Sequence, residues 1–409
     1  MGTNRRLQIL KDHPNLALQY FAIFRKNPMR SVSYTLRRML FDLRVSTSLL
    51  EDCTLPPHAL WLFPTRRCNL RCKMCWQWGS AGYFKENSGL LDDELSTDDM
   101  KRIIDQVAHF SPYIVVTGGE PFIRKDLAEL VEYIKSNGLI CHIQTNGTLI
   151  TDETANRITN AGIDSILFSI NGSNPSINDE ITGVPGSLER TVEGIRRMKS
   201  FRKGILPIMM INCVITKYNY THLYDMIDFA EKLGVDRLQF SYPNFFTEEA
   251  VEQTEKEWFE PIQKSWKRGY WHHAIDGIDI KRLQEEMDAI KNHKMHSNMD
   301  IEIRPEFTAN EICKFFTQLS WAPKGGKCLA ALGLEGAIEW NGNLQFCGGD
   351  YVVGNLKSQD LRDLWYGLRA EKFRKNIQKR VKEGKLFPCC TRCGRLFRAR
   401  SWQIADIKR

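Results

Sequence analysis

Three cysteines crowd into one short run, Arg67-Cys68-Asn69-Leu70-Arg71-Cys72-Lys73-Met74-Cys75, with the spacing C-x3-C-x2-C. A single loop must therefore gather three thiols, and whatever the chain folds into has to end one of its elements there. The residues alone leave two readings. With a fourth ligand such as His58 the set closes a tetrahedral zinc site. Without one, three thiolates hold three corners of a cubane iron–sulfur cluster and leave the fourth iron open to bind and reduce a substrate. The run follows the strand-like segment Ala59–Thr65, which places it at the C-terminal end of a strand, where α/β folds put their chemistry.

A strand–helix alternation starts there. Ala59–Thr65, Tyr113–Thr117, Leu139–Thr145, Ser165–Ile170, Leu206–Thr216 and Arg237–Tyr242 read as strands. Helical runs fall between them, near Asp98–His109, Asp126–Asn137, Thr151–Ala161, Ser187–Phe201 and Asn219–Leu233. Ser96 and Asp98 are helix-start signals, and Gly138, Gly162 and Gly234 are stops. Such alternation predicts a parallel sheet of βα units, and six units fall short of the eight of a closed barrel. Residues 247–297 are rich in Glu, Lys, Trp and His and read as helical or irregular. A strand-like run at Asp300–Arg304 follows, and Gly325-Gly326 marks a loop.

The chain has 409 residues, 42% hydrophobic and 26% charged, a globular composition sufficient for one large domain and a smaller one. No run reaches the roughly 18 apolar residues that span a bilayer. No signal-type apolar stretch follows Met1-Gly2-Thr3-Asn4-Arg5-Arg6, so a cytoplasmic protein is expected. Metal binding is then a better use of its twelve cysteines than disulfides. The net charge of +8 is uneven: residues 1–50 and 362–409 are basic and the body between them is acidic. Nucleic-acid partners call for a basic body with interleaved aromatics, so none is expected. Residues 15–50 read as two helices broken near Asn27-Pro28, with Met29, Val32, Leu36, Leu40 and Leu43 at helical spacing among arginines. That pattern suits either packing on the main domain or peripheral contact with an anionic membrane surface.

The second strand runs into Val116-Thr117-Gly118-Gly119-Glu120-Pro121, where two glycines permit close backbone approach to a ligand and Glu120 offers an acceptor for an ammonium group. Together with Cys68, Cys72 and Cys75, this segment resembles the radical S-adenosylmethionine (radical SAM) superfamily over about residues 59–243. The resemblance implies that the three cysteines hold a 4Fe–4S cluster whose open iron is chelated by S-adenosylmethionine. Thr117-Gly118-Gly119-Glu120-Pro121 would hold the amino group of that cosubstrate. Reductive cleavage would then yield a 5′-deoxyadenosyl radical that removes hydrogen from a substrate C–H bond. Further positions carried over are Thr145 and Asn146 at the end of the third strand and Ser169 and Asn171 at the end of the fourth. Val214 on the fifth strand and Gln239 and Phe240 on the sixth would flank the adenine. Met74 stands where relatives often have an aromatic, and Asn171 where many have Asp.

A second group follows: Cys328, thirteen residues, Gly342 after the thirteenth, four residues, Cys347, then Cys389-Cys390-Thr391-Arg392-Cys393. Gly336–Phe346, with Asn341-Gly342-Asn343 inside it, reads as a β-hairpin that brings Cys328 near Cys347. Spacing alone suits zinc and iron–sulfur equally. The pattern resembles the SPASM/twitch auxiliary-cluster domains, and its four cysteines resemble the shorter twitch type. The resemblance implies one auxiliary 4Fe–4S cluster on Cys328, Cys347, Cys390 and Cys393, with Cys389 as an alternative to Cys390. The expected fold is thus α/β: a partial (β/α)6 TIM barrel at 59–245, an N-terminal helical extension at 1–58, a substrate-shaping region at 246–325 and a C-terminal SPASM/twitch iron–sulfur domain at 326–409. The expected function is anaerobic oxidation or bond formation on a peptide, lipid or small molecule, with a flavodoxin- or ferredoxin-type electron donor. The rival is a non-catalytic iron–sulfur carrier or zinc scaffold.

Overall fold

The computed structural model describes residues 53–79, 82–86, 88–260, 274–295, 297–318, 320–322, 326–347 and 351–396, together with Leu36, Met39, Leu40, Phe41, Leu43 and Arg44. Most of the two helices expected at 15–50 lies outside these residues. One ten-stranded sheet organises the molecule: β1 (Ala59–Thr65), β2 (Tyr113–Gly118), β3 (Ile140–Thr145), β4 (Ser165–Ser169), β5 (Ile208–Val214), β6 (Arg237–Ser241), β7 (Asp300–Arg304), β8 (Glu335–Ile338), β9 (Asn343–Cys347) and β10 (Tyr351–Asn355). Their order is β10-β9-β8-β1-β2-β3-β4-β5-β6-β7. β1 through β7 run parallel to their neighbours, β8 joins β1 in parallel, and β9 and β10 are antiparallel.

The six expected strands form the centre of this sheet, and the sheet continues past both ends of the expected barrel. Asp300–Arg304 adds as a seventh parallel strand beside β6. The crossover to it carries the helix Ile280–Lys291, whose Leu283, Met287 and Ile290 are buried, so residues 246–325 contribute a further βα unit. At the other edge the expected hairpin forms: Ala337 pairs with Gln345 and Ile338 with Leu344. Gly342 turns it at φ 88°, where a side chain is strained. The hairpin belongs to the same sheet as the barrel strands, not to a separate layer.

The helices form where apolar residues recur at helical steps and a cap is present. In Thr97–Ala108 the buried residues are Met100, Ile103, Ile104 and Val107, and Ser96 and Asp99 close a reciprocal capping box. The helix Pro175–Thr182 was not expected from the sequence, although its signals are present. Asn174 caps it by accepting from the Ile177 amide, Pro175 opens it, and Gly183 ends it at φ 69°. Along β5 and β6, side chains alternate strictly between buried and half-buried. Met209, Ile211, Cys213, Leu238 and Phe240 face the core shared with the helices, as the two-residue period of a strand requires. Among the described residues no helix is long and apolar enough to cross a membrane.

One buried ion pair joins the end of β1 to the hairpin. Arg66 and Glu339 are 4% and 5% exposed. The guanidinium donates from Nε to Oε2 at 2.9 Å and from Nη2 to Oε1 at 2.6 Å. Arg66 also lies 3.8 Å over the Phe63 ring. Removing one member of such a pair strands the other charge in the core, at a cost of about 3–5 kcal/mol, whereas replacing both by apolar residues is close to neutral. Glu339→Ala is therefore expected to lower the thermal unfolding midpoint clearly, and the double change Arg66→Met with Glu339→Leu to recover most of it. A Glu339→Ala protein as stable as the parent would show that this pair does not hold the two parts of the sheet together.

Candidate functional site

Because β1 to β7 are parallel, their C-terminal ends share one rim, and the first cysteine loop leaves from it. The chain exits β1 directly against the glycines that end β2. The Gly119 amide donates to Thr65 O at 3.1 Å and the Glu120 amide to Arg67 O at 2.8 Å. A Cβ on Gly118 would sit 2.1 Å from Thr65 O, and one on Gly119 would sit 2.1 Å from Arg67 O. Glycine is thus demanded by the approach of the chain's own cysteine loop, in addition to any approach by a ligand.

Glu120 is fully buried. Its Oε1 accepts from the Phe122 amide at 3.0 Å and from Thr145 Oγ1 at 2.7 Å, and its Oε2 accepts from the Asn146 amide at 2.7 Å. Burial pushes its carboxyl up to about 7, opposed by the Asn146, Thr145 and Phe122 donors. Its role here is to tie the end of β2 to the end of β3. Asn146 extends the tie: its Nδ2 donates to Asn69 Oδ1 at 2.9 Å, and Asn69 Nδ2 donates to Thr148 Oγ1 at 2.8 Å. The far side of the loop is held by the unexpected helix, through Arg71 N to Thr182 O at 3.0 Å and Lys73 N to Ile181 O at 2.8 Å.

Beyond Cys75, Trp78 Nε1 donates to Arg66 O at 2.6 Å and Gln77 Nε2 to Gly118 O at 3.2 Å. Trp76, Trp78 and Trp340 gather around Phe84, with ring centroids 6.3, 6.2 and 5.3 Å from it. The three thiols suit a metal cluster in their chemistry. Burial pushes Cys68 up to about 12, and burial with the neighbouring Cys75 and Cys68 raises Cys72 well above the ordinary thiol range. Cys75 is raised by burial as well. Bare thiolates are disfavoured there, so a cation is needed to keep them deprotonated. Backbone amides already point at the sulfurs, Leu70 N to Cys68 Sγ and Gln77 N to Cys75 Sγ, each at 3.4 Å. Gln77 Oε1 is buried without a hydrogen-bond partner, an acceptor left for a donor on a bound molecule beside Gly118. Among the described residues no three His, Cys, Asp or Glu side chains close around a point suited to one metal ion.

The other expected contacts divide. Thr145 and Asn146 are spent on Glu120 and the loop. Asn171 Oδ1 accepts from Val214 N at 2.9 Å, which ties β4 to β5. Ser169 is exposed at the end of β4. Gln239 faces the barrel interior, where its Nε2 donates to Asn212 Oδ1 at 2.7 Å and to Ser241 Oγ at 2.9 Å. Phe240 must be corrected: it is 0% exposed and packs in the core between sheet and helices, because neighbouring residues of a strand face opposite ways. Thr117 and Gly118 remain half-buried at the end of β2. Asn69, Gln77, Trp78 and the helix Pro175–Thr182 were missed. The Asn174-Pro175 start signal was legible, while the partners of Gln77 were not.

The second cysteine group converges. Cys328, Cys347, Cys390 and Cys393 line one largely apolar cavity with Phe246, Phe346 and Phe373. Burial drives the Cys390 thiol far up, followed by the charges of Cys347, Cys328 and Cys393. Cys389 also borders the cavity, yet its Sγ points to Ala250 O at 3.5 Å and its amide donates to Thr254 Oγ1 at 3.1 Å. Those contacts attach it to the helix Glu248–Glu257. Arg395 reaches in from the C-terminal side and donates to Phe346 O.

Comparison with known proteins matches two stretches of the chain, one around each cysteine group. Residues 62–230 match the family described as the radical SAM superfamily, and residues 328–394 match SPASM, an iron–sulfur cluster-binding domain. An AdoMet-dependent heme synthase of Oleidesulfovibrio alaskensis is 37% identical over 42% of this chain and 41% of its own length. The chain thus spans less than half of that relative. A tungsten-containing aldehyde ferredoxin oxidoreductase cofactor-modifying protein of Pyrococcus furiosus is 25% identical over 82% of this chain and 86% of its own. In fold, Streptococcus suis SuiB bound to S-adenosylmethionine superposes with a TM-score of 0.57 at 19% identity, covering 90% of this chain and 75% of that one. The chain thus carries a radical SAM domain at residues 62–230 and a SPASM iron–sulfur cluster-binding domain at residues 328–394.

Proposed function

We propose that the protein is a radical SAM oxidoreductase acting anaerobically on a substrate C–H bond, with Cys68, Cys72 and Cys75 holding the catalytic 4Fe–4S cluster. The observation that carries this reading is the cysteine loop clamped between the Gly118-Gly119 turn, Asn146 and the helix Pro175–Thr182, with all three thiols half-buried beside an unspent acceptor. A 4Fe–4S cluster held there would supply the one electron for reductive cleavage of the cosubstrate's sulfur–carbon bond. The chain does the rest. The main chain of Thr117 to Pro121 and the side chain of Gln77 offer acceptors to the cosubstrate's amino end, while the Glu120 side chain only holds that turn in place; Ser169 and the bonded row Asn212–Gln239–Ser241 line the barrel interior towards its nucleoside, and the tryptophans around Phe84 keep water from the loop. Cys328, Cys347, Cys390 and Cys393 hold one auxiliary cluster that passes an electron onwards. A small flavodoxin- or ferredoxin-type protein donates electrons, and the substrate is a peptide, a lipid or a small molecule.

A membrane-surface contact is favoured by one observation. Phe41 packs with Leu329, Leu332 and Leu334, and Arg44 Nε donates to Leu332 O at 2.9 Å. On the same helical stretch Leu36, Met39, Leu40 and Leu43 are 56%, 54%, 40% and 37% exposed. An apolar stripe next to a basic sequence suits an anionic interface.

Anaerobic reconstitution is expected to give about eight irons per chain, in two cubanes. Cys72→Ala should abolish 5′-deoxyadenosine formation. Cys390→Ala should lower the iron to about four, whereas Cys389→Ala should leave it unchanged. Cleavage retained by Cys72→Ala, or equal iron in the two auxiliary variants, overturns the respective assignment. On flotation with anionic liposomes the full chain should rise with the vesicles. A Leu36→Asp, Leu40→Asp variant should stay at the bottom, and equal flotation of both would remove the membrane contact.

A further inference from the structure

Arg395 stands between the two stretches that carry the auxiliary cysteines. It follows Cys393 by two residues, and its guanidinium donates to Phe346 O, next to Cys347 in β9. Of the described residues that line the auxiliary cavity, it alone carries a permanent charge, and Phe246, Phe346, Phe373 and Ile377 make much of the remaining wall apolar. Glu335 approaches from β8. Ala337 pairs with Gln345 and Ile338 with Leu344, and continuing that register sets Glu335 opposite Cys347. Side chains directly opposite in an antiparallel pair share a face, about 5 Å apart at Cβ. Glu335 is buried, at 4% exposure. Burial works against the charge on Arg395, and Glu335, then Cys393, Cys347 and Cys328, more than offset it, so the guanidinium stays protonated.

A buried arginine on a main-chain carbonyl reads first as a clasp that fastens the C-terminal turn to the hairpin. Arg392 is of that kind. It is 1% exposed, and its guanidinium donates to Gln318 O at 2.6 Å and Trp321 O at 2.8 Å, just past the end of the helix Ala309–Thr317. Arg395 differs in what it faces. A metal–sulfur site on four thiolates carries net negative charge and gains one more when it is reduced. A fixed cation beside it in an apolar cavity favours the reduced form, and a fixed anion disfavours it.

We infer that Arg395 and Glu335 set the reduction potential of the auxiliary site in opposite directions, the guanidinium raising it and the carboxylate opposite Cys347 lowering it. This rests on the auxiliary-cluster reading above and adds the side chains that tune it. The couple moves one electron between the site and an external reductant, with no bond in the protein made or broken. Both are positioning residues, acting through the charge they hold beside the thiolates.

The test is an EPR-monitored redox titration of the reconstituted full chain with dithionite as the reductant. It is repeated in a Cys68→Ala, Cys72→Ala, Cys75→Ala background, so that the auxiliary signal stands alone, and iron is counted in every variant. Arg395→Gln is expected to keep the parent's iron and to weaken reduction about tenfold, a fall in midpoint of about 59 mV for one electron. Arg395→Lys keeps the charge and should restore most of the parent value. Glu335→Gln should move the midpoint upwards. A site that is merely loosened would shift Arg395→Gln and Glu335→Gln the same way, and that result overturns the proposal. So does a parent midpoint in Arg395→Gln at full iron. Should Arg395→Gln lose its auxiliary iron, the other two variants decide, and a Glu335→Gln midpoint at or below the parent's overturns the proposal. A parent chain with only about four irons refutes the auxiliary cluster itself, and this inference falls with it.

Discussion

The rim of this barrel depends on one buried carboxylate. Glu120 takes no exposed position from which to meet a ligand. It spends both oxygens on Phe122, Thr145 and Asn146, while its own amide holds Arg67 O. The end of β2, the end of β3 and the base of the cysteine loop are thereby locked to one another. A carboxyl in so dry a place is tolerated because three donors face it and offset part of the cost of burial. The two glycines before it are required by the same packing, since any Cβ there would strike the carbonyls of Thr65 or Arg67. A motif that reads in the sequence as a ligand-binding turn is thus first of all a clamp on the loop that carries the thiols.

The second constraint is the continuity of the sheet. β8 adds to β1 in parallel, so the hairpin that presents Cys347 is built on the same strand that launches Cys68. The Arg66–Glu339 pair fixes that junction from the side. The two cysteine groups are therefore attached to one continuous sheet. The helix Glu248–Glu257 holds Cys389 at the border of the auxiliary cavity, and Phe373 and Ile377 of the helix Leu368–Glu383 line it. Residues 246–325 also supply the seventh parallel strand, so this stretch shapes the barrel as well as bordering the auxiliary site.

Much of this was legible in the order of residues. Apolar and β-branched runs at regular distances marked all six central strands, and the alternation in Asp300–Arg304 reads as a strand, because a strand turns successive side chains to opposite faces. Ser96 and Gly234 showed where helices begin and end, since unsatisfied amides and left-handed turns demand those residue types. The spacing of Cys68, Cys72 and Cys75, and of Cys328, Gly342 and Cys347, pointed to two thiol sites, because closely spaced ligands in a chain have few places to go. The helix Pro175–Thr182 was overlooked although Asn174-Pro175 announces it. Phe240 was misjudged because adjacency in sequence hides which face of a strand a side chain takes.

The sequence by itself determined the kind of chemistry: local spacing dictates which thiols share a loop, and local periodicity dictates which segments become strands. Only the tertiary structure decided which groups meet. That Asn146 grips Asn69, that Glu120 turns inward, and that Cys390 joins Cys328 and Cys347 while Cys389 turns to a helix all depend on how distant strands and helices are packed together. Such packing is set by the whole sheet, which no short stretch of chain encodes.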